Sequence, residues 1–195
     1  MAFKYVNMAD ITRDLPSSRP GSARIGAAPE TAGPGGDLVA HVELLFFAYR
    51  DFTGDADAVL DQYGFGRAHH RVLHFVHRNP GLRVANLLEI LKITKQSLAR
   101  VLKQLVGEGF IAQKAGAEDR RERLLYVTPK GSKLADKLLA LQVSRVLAAR
   151  KAVGPDAEAA ARRFLLAMIS EDERAHVEAL VRMPGATRNG EESSP

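Results

Sequence analysis

Cysteine is absent from the 195 residues. That excludes a disulfide framework, a thiolate zinc site, a cysteine nucleophile and a thiol redox sensor. No apolar run approaches a membrane span, and stretches such as LVAHVELLFFAY (residues 38–49) are interrupted and too short. The opening MAFKYVNMADITRD has no secretory pattern, so a cytoplasmic protein is expected. Catalytic signatures are missing too. There is no nucleophile elbow and no metalloprotease helix motif, and GxG occurs only as GFG and GEG. No enzyme is expected, and no cofactor.

What is present suits one compact domain with tails: 46% of the residues are apolar, enough to bury a sizeable core. The net charge of +5 becomes informative once it is located. Residues 1–81 hold 8 basic and 9 acidic side chains, and residues 132–195 hold 10 and 9. Residues 82–131 hold 10 and 5, so the whole surplus lies in the middle fifty residues. A local basic excess is the footprint of a nucleic-acid contact, although a solvated charged face shows the same signal.

The chain divides by composition. Residues 1–36 end in LPSSRPGSARIGAAPETAGPGG, which has almost no large apolar side chain and reads as a flexible arm. Residues 184–195 read as a disordered tail on the same grounds. Helical spacing of Leu38, Val42, Leu45, Phe46 and Tyr49 predicts a helix over 37–52, with a connection to 66. Residues 67–79 form a second helix, ended by Pro80-Gly81. A short helix over 84–91, a tight connection at Lys92-Ile93 and a helix over 95–108 capped by Thr94 follow. Residues 110–114 and 124–128 are rich in β-formers and predict a hairpin with an extended, charged tip. Thr128-Pro129 then starts a long helix over 129–153. Gly154-Pro155 breaks it, and one last helix is expected from 156 to about 182. The fold class is mainly α with a small β-hairpin: a winged helix-turn-helix module over 67–128, between helical regions at 37–66 and 129–183.

The second helix of the pair is sized for the DNA major groove, where every base pair shows a distinct donor and acceptor pattern. Leu98 must face the protein, so Lys95, Gln96, Ser97 and Arg100 point outward and, with the cap Thr94, are the candidate base and phosphate contacts. The hairpin tip EDRRERLLYVTPKG (residues 118–131) packs three arginines among three acids. Beside a groove-bound helix, such a tip reaches the minor groove, whose potential attracts inserted arginine. Arg120, Arg121 and Arg123 are the candidates. Asp119 is expected to pre-orient an arginine, with Glu118 and Glu122 keeping the loop soluble.

DRRERLLYVTPKG resembles the wing signature of MarR-type regulators, in which an Asp-Arg-Arg tip precedes a strand and a Leu-Thr-x-x-Gly helix start. Asp119, Arg120 and Arg121 fill the tip, Val127 stands for the Leu, and Thr128 and Gly131 match. LLEILKITKQSLARVLKQLVGEGFIAQK is similar to the helix-turn-helix of that family. GRAHHRVLHFVHRNPGL is similar to a proteobacterial, PetP-like branch of it. The resemblance spans roughly 37–182 and implies a homodimer with interlocked terminal helices. It also implies a pseudo-palindromic double-stranded operator as the partner, no membrane, and a small-molecule effector. Two positions depart from the family pattern. Arg83 stands where a Ser or Thr cap is usual, and Lys92 where Gly is frequent.

The resemblance places an effector pocket along Phe46, Tyr49, Tyr63, His70 and His74, taking an aromatic or anionic ligand. His70, His74 and His77 at i, i+4 and i+7 share one helix face, a spacing that can chelate a transition metal or hold haem. The bland alternative is a set of exposed or interface histidines. A winged module used only for protein–protein assembly is the rival from another class, and the place of the basic surplus argues against it.

Overall fold

A computed structural model describes residues 36–116, 119 and 121–182. The expected arm and tail, and the wing residues Glu118 and Arg120, lie outside the described residues. The chain divides into two units between Asp51 and Phe52, within the first helix.

That helix, α1 (Gly36–Leu60), runs eight residues beyond its expected end. Thr53-Gly54-Asp55 reads as a breaker by propensity, but Thr53, Ala56, Val59 and Leu60 are buried in the core. Burial of that apolar face outweighs the roughly 1 kcal/mol that one helical glycine costs. A 3-10 turn at Asp61–Tyr63 ends at Gly64 in the left-handed region. Then come α2 (Arg67–Arg78), the two-residue strand β1 (Leu82–Arg83), α3 (Val84–Leu91) and α4 (Lys95–Gly107). Strands β2 (Ile111–Ala115) and β3 (Arg123–Val127) follow, then α5 (Pro129–Val153). The expected single last helix is two, α6 (Pro155–Ala167) and α7 (Glu171–Arg182). The break has local causes: Glu171, Asp172 and Glu173 suit a fresh positive N-terminus, and the Arg174 guanidinium donates to the Ala167 and Ile169 carbonyls.

The sheet is antiparallel with order β1-β3-β2, in register from Ile111↔Val127 to Ala115↔Arg123 on one side and Leu82↔Leu125 on the other. Its core partners are Leu73 and Val76 of α2, Leu87 of α3, Leu98 and Leu105 of α4, and Leu134 and Leu138 of α5. A second anchor is aromatic. Phe65 stacks on Tyr63 and on His69 and meets Phe110 edge-on at 5.0 Å. Thr128 and Gly131 join wing to α5. Thr128 Oγ1 donates to the Gly109 carbonyl and accepts from the Gly131 amide, and a Cβ on Gly131 would lie 2.0 Å from the Phe110 oxygen.

Candidate nucleic-acid interface

Helix α4 presents two chemically opposite faces. Leu98, Val101, Leu102 and Leu105 are buried. Lys95, Gln96 and Arg100 are exposed, with Lys103 one turn beyond Ala99 on the outer side. Thr94 is consumed as the cap: its Oγ1 accepts the Ser97 amide at 3.1 Å and donates to Ser97 Oγ at 3.0 Å. The pair rigidifies the first turn, leaving Lys95, Gln96 and Arg100 as the outward side chains with full reach. Lys92 closes the preceding turn at φ 50°, the single non-glycine residue with positive φ among those described. Its ammonium is held at 2.8 Å by Glu173 of α7.

Gly116, Asp119 and Glu122 of the wing are tied together by backbone hydrogen bonds. Glu122 N–H donates to the Asp119 carbonyl and Gly116 N–H to the Glu122 carbonyl, both at 3.1 Å. Asp119 Oδ1 accepts the Arg121 amide at 2.8 Å, a bond to the backbone that holds the turn. Glu122 is likewise no mere solubilising acid. Its Oε1 pairs with Arg83 Nη1 of β1 at 3.2 Å. Arg121 and Arg123 are exposed, and Arg123 faces Ala115 across the hairpin. Lys114 lies over the Tyr126 ring at 5.0 Å on the same sheet. Sequence reasoning misses the Arg83–Glu122 pair and the close-packed Gly116. The glycine in KAGAED is the one available hint.

The histidines of α2 divide by partner. His69 Nδ1 accepts the Gly66 amide at 3.1 Å, so its Nε2 hydrogen is free to donate to Gln104 Oε1 of α4 at 2.9 Å. His77 Nε2 meets Asp136 Oδ1 of α5 at 3.0 Å. Both side chains therefore pin α2 to its neighbours. His70 is buried, and burial lowers its pKa. Burial, with the nearby His70, Arg78 and His77, lowers His74 to about 4, so it is neutral at physiological pH. Among the described residues no three His, Asp or Glu side chains gather as a metal site. Of the residues assigned to an effector pocket, Phe46 and Tyr49 are exposed on α1, while Tyr63 packs on Phe65 and Phe110. A groove of about 720 Å³ lies elsewhere, between α3, α4 and β2, with Val84, Leu88, Ala99 and Val106 in its wall and Lys95, Lys103 and Gln113 as polar members.

The comparisons with known proteins point one way. The model of the MarR family matches residues 63–122, the span from the aromatic anchor to the wing tip. The HTH-type transcriptional regulator PetP of Rhodobacter capsulatus is 43% identical over 160 residues, which is 77% of this chain and 96% of that protein. A crystal structure of MarR is similar at a TM-score of 0.57 and 22% identity, covering 78% of this chain and 99% of that one. The transcriptional repressor CouR, bound to a 23-mer DNA duplex, is similar at 0.56 and 21%, covering 69% and 96%. These two likenesses show the fold, while the sequence match to PetP carries the kinship. Together with a two-faced α4 and a β1-β3-β2 wing, they establish that the chain belongs to the MarR family.

Proposed function

We propose that this regulator binds duplex DNA as a homodimer, with Lys95, Gln96 and Arg100 of α4 in successive major grooves and Arg121 of each wing in the flanking minor groove. The observation that carries the reading is the outer face of α4. It bears two cations and an amide, its first turn is fixed by the Thr94 cap, and the basic surplus of the whole chain falls on this module. Lysine and arginine there supply phosphate attraction; the Gln96 amide can donate and accept at a base edge, and the Arg100 guanidinium offers paired donors to guanine acceptors. Ser97 contributes through its hydroxyl, already oriented by Thr94. Arg120 and Arg123, on either side of this stretch of the wing, are further wing candidates.

Support for the dimer comes from the helices at the chain's end. Helices α6 and α7 bury no residue within the protomer. Phe164 and Leu165 of α6, Met168 at its C-cap, and Val146 and Leu147 of α5 are about half exposed or more. Covering the exposed half of such side chains is worth about 1 kcal/mol each, so a second copy is the natural cover. Two α4 helices one turn of DNA apart then match a pseudo-palindromic site. No helix among the described residues is long and apolar enough to cross a membrane, and the reading places the protein at DNA in the cytoplasm. An aromatic or anionic effector is the remaining part of the proposal, tested by titrating such compounds against operator affinity.

Selection of bound duplexes from a randomised library, followed by footprinting, tests the whole reading. Arg121→Ala should lower specific affinity by about 1–3 kcal/mol, and Lys114→Ala should weaken all sequences about equally. Equal losses on selected and random DNA for Arg121→Ala would show that the wing reads nothing.

A further inference from the structure

Arg83 occupies the N-cap of α3 and does not cap it. Its backbone is extended (φ −74°, ψ 146°), as an N-cap requires, but its side chain makes no capping hydrogen bond. A Ser or Thr would satisfy one of the free amides there. Instead the guanidinium reaches across to the wing, where Nη1 meets Glu122 Oε1 at 3.2 Å. From Glu122 the connection continues through the backbone. Glu122 N–H donates to the Asp119 carbonyl, and Asp119 Oδ1 accepts the Arg121 amide. A continuous chain of polar contacts thus runs from β1 to the proposed minor-groove arginine. Gly116 lies so close to these two residues that a Cβ on it would be 2.6 Å from the Asp119 oxygen and 3.2 Å from the Glu122 Cβ.

We propose that Arg83 and Glu122 form a clasp that positions the wing, aiming Arg121 at the minor groove without touching DNA bases themselves. The proposal rests on the DNA-binding reading above. An exposed ion pair adds little to fold stability. On a loop that must present one side chain to a narrow groove, however, it removes conformations that would otherwise be lost on binding. The clasp also accounts for an acid beside a polyanion. Glu122 repels phosphate, so its retention at the wing base makes sense if the pairing outweighs the repulsion.

That competition supplies the test. If Glu122 acted only by its charge, Glu122→Gln would tighten binding to every sequence. The clasp predicts the opposite sign on the selected operator. Glu122→Gln should lose about two- to fivefold there, the range an exposed pair supports, with random duplex unchanged or bound more tightly. Arg83→Ser should restore the cap, so its melting temperature holds or rises while operator affinity falls. The exchange Arg83→Glu with Glu122→Arg should recover part of the loss. Binding is measured for the full-length protein by anisotropy on the selected duplex and on a scrambled duplex, beside thermal melts. Equal tightening by Glu122→Gln on both duplexes overturns the clasp. So does a fall in melting temperature that tracks the affinity loss, or a uniform loss for Arg83→Ser that Glu122→Gln does not share. If the wild-type protein enriches no sequence from the library, the DNA-binding reading itself has failed, and the clasp with it.

Discussion

Gly131→Ala puts the joint between wing and α5 under direct strain. The added Cβ would lie 2.0 Å from the Phe110 carbonyl oxygen, 2.9 Å from its carbon and 3.3 Å from its Cα. All three are backbone atoms, so no side-chain rotation relieves the overlap. Either the first turn of α5 or the entry to β2 must move by more than an ångström. That motion strikes a compact set of bonds: Thr128 N–H to the Phe110 carbonyl at 3.0 Å, Thr128 Oγ1 to the Gly109 carbonyl at 2.6 Å, and the Gly131 amide to Thr128 Oγ1 at 3.1 Å. Overpacking alone costs about 1–3 kcal/mol, and loss of a Thr cap adds about 1 kcal/mol. The expected total is about 2–4 kcal/mol. For a chain of this size each kcal/mol shifts the melting temperature by about 2–4 °C, so the variant should melt about 4–16 °C lower. Thr128→Ala, which removes the cap without the overlap, should lose only about 1 kcal/mol. Urea denaturation and thermal melts at equal protomer concentration measure both, since the stability of the proposed dimer would depend on concentration. A Gly131→Ala protein that melts within about 2 °C of wild type would refute the reasoning, because the Cβ would then have found room that the backbone does not offer.

Three further outcomes are expected. The folded pKa of His74 is about 4 against an ordinary value of 6.5, and burial also lowers those of His69 and His70, so the folded state binds fewer protons than the unfolded chain between those pH values. Stability should therefore be full above pH 6.5 and fall as pH drops toward 4, by up to about 3 kcal/mol from His74; urea midpoints across that window for wild type and His74→Asn check it, and an unchanged slope in the variant counts against it. At Lys92, where φ is 50°, Gly should be more stable than Ala by about 1 kcal/mol, the reverse of the helix-interior order, since both variants lose the Glu173 pair equally; an Ala variant as stable as Gly would contradict a left-handed turn. Leu147→Arg, on the exposed stripe of α5, should convert the proposed dimer to monomer in sedimentation at micromolar concentration and abolish tight operator binding, whereas a dimer that survives would place the interface elsewhere.

The family and most element positions are legible in the amino-acid sequence alone. Periodicity and punctuation place α2, α3, α4 and α5 almost to the residue, because each has a local start or stop: Pro80-Gly81, the Thr94 cap, Thr128-Pro129, Gly154-Pro155. The outward set on α4 is equally local, since burying Leu98 determines which way Lys95, Gln96 and Arg100 turn. The β-rich segments are legible too, each one residue out of step with its strand. Whatever depends on distant partners is not. Helix α1 continues through Thr53-Gly54 because Ala56 and Leu60 are covered by a core that local propensity does not register. The last helix splits where an arginine caps one end and three acids start the next.

The sequence by itself determined the periodic elements, the caps, the charge surplus at 82–131 and the kinship, because all of these are written in neighbouring residues or in residue type. Only tertiary structure decided the partners. Arg83 is 39 residues from Glu122 and Lys92 is 81 from Glu173, and nothing in local spacing pairs them. His77 looks like part of a ligand set along one helix, yet Asp136 of α5 takes it, and the neighbouring His69 is taken by Gln104 of α4. Asp119 sits among arginines in the sequence, and the fold gives its Oδ1 the Arg121 backbone amide at 2.8 Å, a partner that charge patterning does not register.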